Sequence, residues 1–95
     1  MIESDPADLA RKDIEALIEG LPSEDRKKLR AMAESELFRL HWDYGMELRN
    51  QFRHGKFLHL LRFAHTQLPP EGRSLNAMST VAIREIWRHL QGRDE

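Results

Sequence analysis

The sequence contains no cysteine, which removes disulfides, thiolate metal sites and cysteine nucleophiles together and fits a reducing compartment. No apolar run approaches the roughly 20 residues that span a bilayer, and residues 1–5 lack the basic start and apolar stretch of a signal peptide. The expected location is therefore the cytoplasm, with no membrane partner. Aromatic residues are few, at 7%, with one Tyr. No stretch alternates with the period of a strand, no segment is low in complexity, and no repeat recurs. There is no H-E-x-x-H, paired-carboxylate, Gly-rich phosphate-loop or Ser-elbow motif, so the sequence points to no metal and no cofactor.

What is present describes one small domain, residues 1–95, with 40% hydrophobic and 33% charged residues. A chain this short buries only about 60 to 65% of its unfolded surface. A core so limited gains from a partner copy. The net charge of −1 is unevenly spread: up to Glu47 twelve Asp/Glu face seven Lys/Arg, giving −5, and beyond it four face eight, giving +4. From Arg49 to His65 there are four basic residues, three His and no acid, a segment suited either to an anionic partner or to a solvated face balanced by the acidic half.

The periodicity predicts an all-α protein, a bundle of four to five helices. Residues 1–6 have little to bury and are expected to fray. A first helix over 7–19 carries Leu9, Ile14, Leu17 and Ile18 on one face, with Gly20 as its stop and Ser23 as the next N-cap. Leu29, Ala33, Leu37, Leu40, Tyr44, Leu48 and Phe52 then recur at steps of three and four, which predicts one long central helix over 23–53. Gly45 inside it implies a bend or break, or else the close approach of a neighbouring helix. A short helix follows over 56–67, burying Phe57, Leu60, Leu61 and Ala64. Pro69 and Pro70 make 68–75 a loop, and a last helix to about 91, capped by Ser74 or Asn76, turns Met78, Ala82, Ile83, Ile86, Trp87 and Leu90 inward.

The stretch 41–54, H-W-D-Y-G-M-E-L-R-N-Q-F-R-H, concentrates the unusual residues and is expected to be the spine of the bundle. His41 and Asp43 diverge on a helix and make no dyad. Arg49, Asn50 and His54 match the R-[N/D/H]-x-x-x-H element of helical ribonucleases from prokaryotic toxin and defence systems, where Arg and His handle a scissile phosphate; the chemistry is sound for a metal-independent reaction. The structural counterpart places Arg49 in an ion pair with a carboxylate of the first helix and His54 at a helix C-terminus. A third reading makes Arg49, Arg53, Lys56, His59 and Arg62 contacts to a nucleic-acid backbone.

Two segments carry a family resemblance. G-M-E-L-R-N-Q-F from Gly45, with N-A-M-S from Asn76 leading into the apolar last helix, resembles a small bacterial domain of unknown function that pairs G-M-x-[IL]-R-N-x-[FW] with a D-D-[AM]-S-capped final helix. The resemblance covers the second half of the chain and implies a helical fold and a shared importance for Arg49 and Asn50. Where the pattern has two acids, Asn76 and Ala77 keep an N-cap but remove charge that could meet Arg49.

The function expected from these observations is non-enzymatic: a helical interaction module of a bacterium or phage, regulatory or defence-related, binding another protein or its own copy as a homodimer. Trp42, Met46, Phe38 and Phe63 lie beside the main apolar stripes, where exposed aromatics anchor interfaces. The expected binding set is Arg49, Asn50, Arg53, Lys56, His59, Arg62, Trp42 and Met46.

Overall fold

The computed structural model describes residues 5–92, and every described element is helical. Asp5 accepts a hydrogen bond from the Ala7 amide at 2.9 Å, and Pro6, which has no amide to satisfy, opens α1 (Pro6–Glu19). The fraying expected for 1–6 thus concerns residues 1–4, which lie outside the described residues; Asp5 and Pro6 are cap and first turn. Ser23, expected as a cap, is instead the first residue of α2 (Ser23–Ala31), with Pro22 before it.

The single long helix expected over 23–53 does not form. The chain makes α2, a 3-10 helix (Glu34–Leu40) and α3 (Tyr44–Arg53), with breaks at 32–33 and 41–43. At the first break Met32 and Ala33 are extended. Side chains replace the helical bonds lost there: the Trp87 indole N–H donates to the Met32 carbonyl at 2.8 Å, the Gln91 amide to the Arg30 carbonyl at 2.9 Å, and the Ala33 amide to the Glu36 carboxylate at 3.0 Å. The apolar stripe survives these breaks at Leu29, Leu37, Leu48 and Phe52, which are buried, while Ala33 is exposed.

Gly45 does not mark the second break, which precedes it, but lies buried in α3. A Cβ there would sit 3.0 Å from Arg49 Nη1, 3.3 Å from the Leu40 carbonyl oxygen and 3.6 Å from Ile83 Cδ1. Close approach is therefore the role of this glycine. Gly45→Ala gains about 1 kcal/mol of helix propensity but overpacks a site whose neighbours are backbone and a fixed guanidinium, a cost of about 1 to 3 kcal/mol. We expect a lowered Tm; a raised one in thermal denaturation would show that the neighbours yield.

After α3, Gly55 and Phe57 both take positive φ, 77° and 55°, so α4 (Leu58–Thr66) starts two residues later than the pattern implies. Its first turn is tied to α1, where the Asp13 carboxylate accepts from the Leu60 amide at 3.0 Å. A 3-10 turn (Pro70–Gly72) leads to α5 (Leu75–Gln91), capped by Ser74, whose hydroxyl accepts from the Ala77 amide at 3.1 Å.

The organising element is α5 rather than the stretch 41–54. It packs against α1, α2, α3, α4 and the 34–40 helix, while α1 and α4 lie alongside one another. Ala82, Ile83, Ile86 and Leu90 are buried as expected, Met78 and Trp87 are half-buried, and Val81 and Ser79 join the buried set. No helix among the described residues is long and apolar enough to cross a membrane.

Candidate functional site

The site begins with a charge in the wrong place. Arg49 is 5% exposed. Guanidinium stays protonated in proteins, so its burial is costly unless its N–H groups and its charge are both met. The carboxylate expected from the first helix is not what meets it. Arg49 Nη1 donates to the Ser79 hydroxyl at 3.0 Å, and Nη2 donates to the His41 carbonyl at 3.1 Å. Nη1 also faces His41 Nδ1 at 3.5 Å, the outer limit of a hydrogen bond. All three partners are neutral or, in the case of the ring, without a negative charge. Ser79 is fully buried and its hydroxyl donates to the Asn76 carbonyl at 2.8 Å, so it accepts from Arg49 with its own donor already used.

These bonds hold the 41–43 turn onto α5, and the turn carries Trp42. The His41 ring meets the Trp42 ring edge-on, with centroids 4.7 Å apart and planes at 84°. The indole is thereby steadied while the side chain as a whole remains 74% exposed. Phe38 is 70% exposed and Met46 54%. The three residues, spaced by four, flank the turn from the 34–40 helix to the first turn of α3.

Two depressions meet at Trp42. One, of about 310 Å³, runs between Leu37, Phe38, His41, Thr80 and Ile83. The other, of about 540 Å³, is lined by Met46, Glu47, Arg49, Asn50, Arg53 and Asn76. Of the expected binding residues, the structure therefore gathers Trp42, Met46, Arg49, Asn50 and Arg53 around one groove. It does not bring the rest there. His59 and Arg62 line a separate groove of about 590 Å³ with Leu9, Leu61, His65 and Met78, and exposed Lys56 lines neither. The basic segment is split between two faces. His54, the C-terminal cap of α3, is exposed and is absent from the lining of the Arg49 groove. Phe63, expected beside Trp42 as an exposed aromatic, packs on the core instead. Among the described residues no three His, Asp or Glu side chains are grouped as metal ligands.

Ser79 belongs to the candidate site although no sequence pattern singles it out, while the pattern sets His41 aside with Asp43 as no dyad and gives Asn76 as a cap. Ser79 and Asn76 stand in the N-A-M-S segment, but the contact to Arg49 spans 30 residues and no local spacing reveals it.

A fourth depression, of about 620 Å³, lies between α2 and α3 and reaches Tyr44. The Tyr44 hydroxyl is buried with no hydrogen-bond partner among the described residues. Burial, reinforced by Glu47, pushes this phenol well above its ordinary value. An orphaned hydroxyl of this kind costs about 1 to 3 kcal/mol. Tyr44→Phe is accordingly expected to stabilise the fold at neutral pH by about 1 kcal/mol. In the unfolded chain the phenol ionises near its ordinary value of about 10, whereas the folded chain keeps the proton to higher pH. The native preference for the neutral form is intact below that value and is lost as pH rises toward the folded one. As this is the only Tyr, the variant should lose the phenol's share of the alkaline fall in stability. Urea denaturation at neutral and alkaline pH reads both effects, and unchanged or lower stability at neutral pH would mean that the hydroxyl has a partner.

A family model, described as Domain of unknown function (DUF6794), matches residues 6–90. The match runs through α1 as well as the second half of the chain, to which the resemblance read from the sequence was confined. No curated protein and no solved structure matches the chain.

Proposed function

The chain belongs to that family of domains of unknown function, and for this member of it we propose a non-enzymatic role in which the Phe38/Trp42/Met46 face docks onto another protein or a second copy of the chain. The single observation that carries this reading is the exposure of three large apolar side chains in one strip, 70%, 74% and 54%, in a chain too short to build a large core. Large exposed apolar residues that adjoin one another mark interfaces, whereas isolated ones need no explanation. Leu58, at 44%, is such an isolated case, on α4. The polar groups around the strip, Asn50, Arg53 and Asn76, supply the hydrated rim that a protein interface carries.

Sedimentation velocity over a range of concentrations, together with affinity capture from the source cell using wild-type and Trp42→Ala baits, tests the proposal. We expect either a concentration-dependent dimer or a protein retained by the wild type and not by the variant. A strict monomer whose captured proteins are the same for both baits would overturn it.

A further inference from the structure

Resting on the reading that this face docks a protein, we infer that Arg49 forms the floor of a carboxylate socket within it, and that the partner presents an Asp or Glu side chain beside a large apolar one. The Arg49 guanidinium is a buried cation without a counter-ion among the described residues. The residue is 5% exposed, the group carries a permanent charge, and no carboxylate pairs with it among the described residues. Its neutral partners satisfy hydrogen bonds and leave the charge uncompensated.

The geometry says where a counter-ion would go. A guanidinium has five N–H groups. Nη1 turns its two toward Ser79 and His41, and Nη2 gives one to the His41 carbonyl. The Nε–H and the second Nη2 hydrogen have no partner among the described residues. With Nη1 and Nη2 both engaged by His41, these two lie together on the adjoining edge of the plane, at the spacing of the two oxygens of a carboxylate. Arg49 also lines the groove beside Trp42, and we place the socket's opening there, beside the exposed indole.

The surroundings select a single carboxylate over a polyanion. Arg53 adds a second cation, exposed and without an ion pair among the described residues, and Asn50 and Asn76 add amide donors. Glu47 stands in the same wall, and its charge opposes a run of phosphates more than the single charge of a carboxylate held by Arg49. Trp42 and Met46 offer an apolar wall of a kind that a nucleic-acid backbone does not use. A partner side chain that seats there brings its acid into a site shielded from water, where a two-pronged ion pair is far stronger than on an open surface.

The test uses the full chain and varies the ligand, so that no fold-disrupting change at Arg49 is needed. A randomised library of short displayed peptides is selected on the wild type and counter-selected on Trp42→Ala, and each selected peptide is compared with a version carrying Asn or Gln for its acids. We expect an Asp or Glu beside Phe, Trp, Leu or Met, an affinity about tenfold lower for the amide version, and a shift of the Arg49 Nε–H resonance with the acidic peptide alone. Trp42-dependent peptides that bind equally well as amides would overturn the socket and leave the docking face standing. Failure to select any Trp42-dependent peptide would overturn both. A short single-stranded DNA that displaces the acidic peptide and moves the same resonance more strongly would overturn the peptide assignment in favour of phosphate.

Discussion

Arg49→Ala should destabilise the protein by about 3 kcal/mol, the largest loss expected from any single polar side chain in it. Several effects compete at this residue. Truncation abandons the aliphatic stem of a 5% exposed side chain, about 0.8 kcal/mol for each buried methylene. It also leaves the His41 carbonyl and the Ser79 hydroxyl without their donor, a penalty of about 1 to 3 kcal/mol. Against these stands the relief of a buried charge without a counter-ion, nominally several kcal/mol but reduced here because Arg49 lines an open groove. Loss of packing and orphaned acceptors win in the alanine variant. Arg49→Met separates the contributions, because it keeps the stem volume and discards the charge; its stability should lie much closer to wild type. Urea and thermal denaturation decide the matter, with a shift on the order of 15 °C for the alanine variant. An alanine variant within about 0.5 kcal/mol of wild type would show that the 41–43 turn does not depend on this staple.

The same residue shows where sequence reasoning stops. Helices α1, α4 and α5 were legible because each buries one face at the helical period, and α5 ends near its expected boundary for the ordinary reason that Gly92 follows it. The interruptions at 32–33 and 41–43 were not, because a 3-10 helix keeps residues three apart on the same side, and the step from Leu37 to Leu40 is one of three. The apolar stripe from Leu29 to Phe52 therefore reads as one helix although the backbone is broken twice. Each break is maintained by side chains distant in the chain: Trp87 and Gln91 reach back 55 and 61 residues to α2, and Arg49 reaches 30 residues to Ser79. Such contacts leave no trace in local spacing. Arg49 was singled out as a candidate from its motif, but its burial was not legible, since Arg is expected at the surface.

The exposed aromatics were legible for a complementary reason. Phe38, Trp42 and Met46 fall one position after Leu37, His41 and Gly45, so a helix facing the core with the second set turns the first away from it. The structure adds the anchoring: Arg49 holds His41, and the His41 and Trp42 rings pack at right angles. The buried staple and the exposed face are consequently one assembly, and a change at Arg49 should alter both stability and docking. A change at Trp42 should not.

Trp42→Ala is the second large effect, and it should appear in binding and not in folding. The side chain is 74% exposed, so its truncation removes little buried area from the native state; what is lost is the edge contact with His41, worth at most about 1 kcal/mol in such a setting. At an interface the balance reverses. An indole that becomes fully buried on docking is the type of anchor whose removal costs 2 kcal/mol or more, about a 30-fold loss of affinity. The pair of measurements is a melting curve and an association constant, taken on the wild type, on Trp42→Ala and on Leu58→Ala. Leu58 serves as the control because it is also apolar and exposed, yet stands on α4, apart from the strip. Near-unchanged Tm with association lost in Trp42→Ala, and association kept in Leu58→Ala, follows if the 38/42/46 face is the working surface. Should Trp42→Ala melt several degrees lower and associate normally, the indole would be a lid on the His41 turn and the interface would have to lie elsewhere.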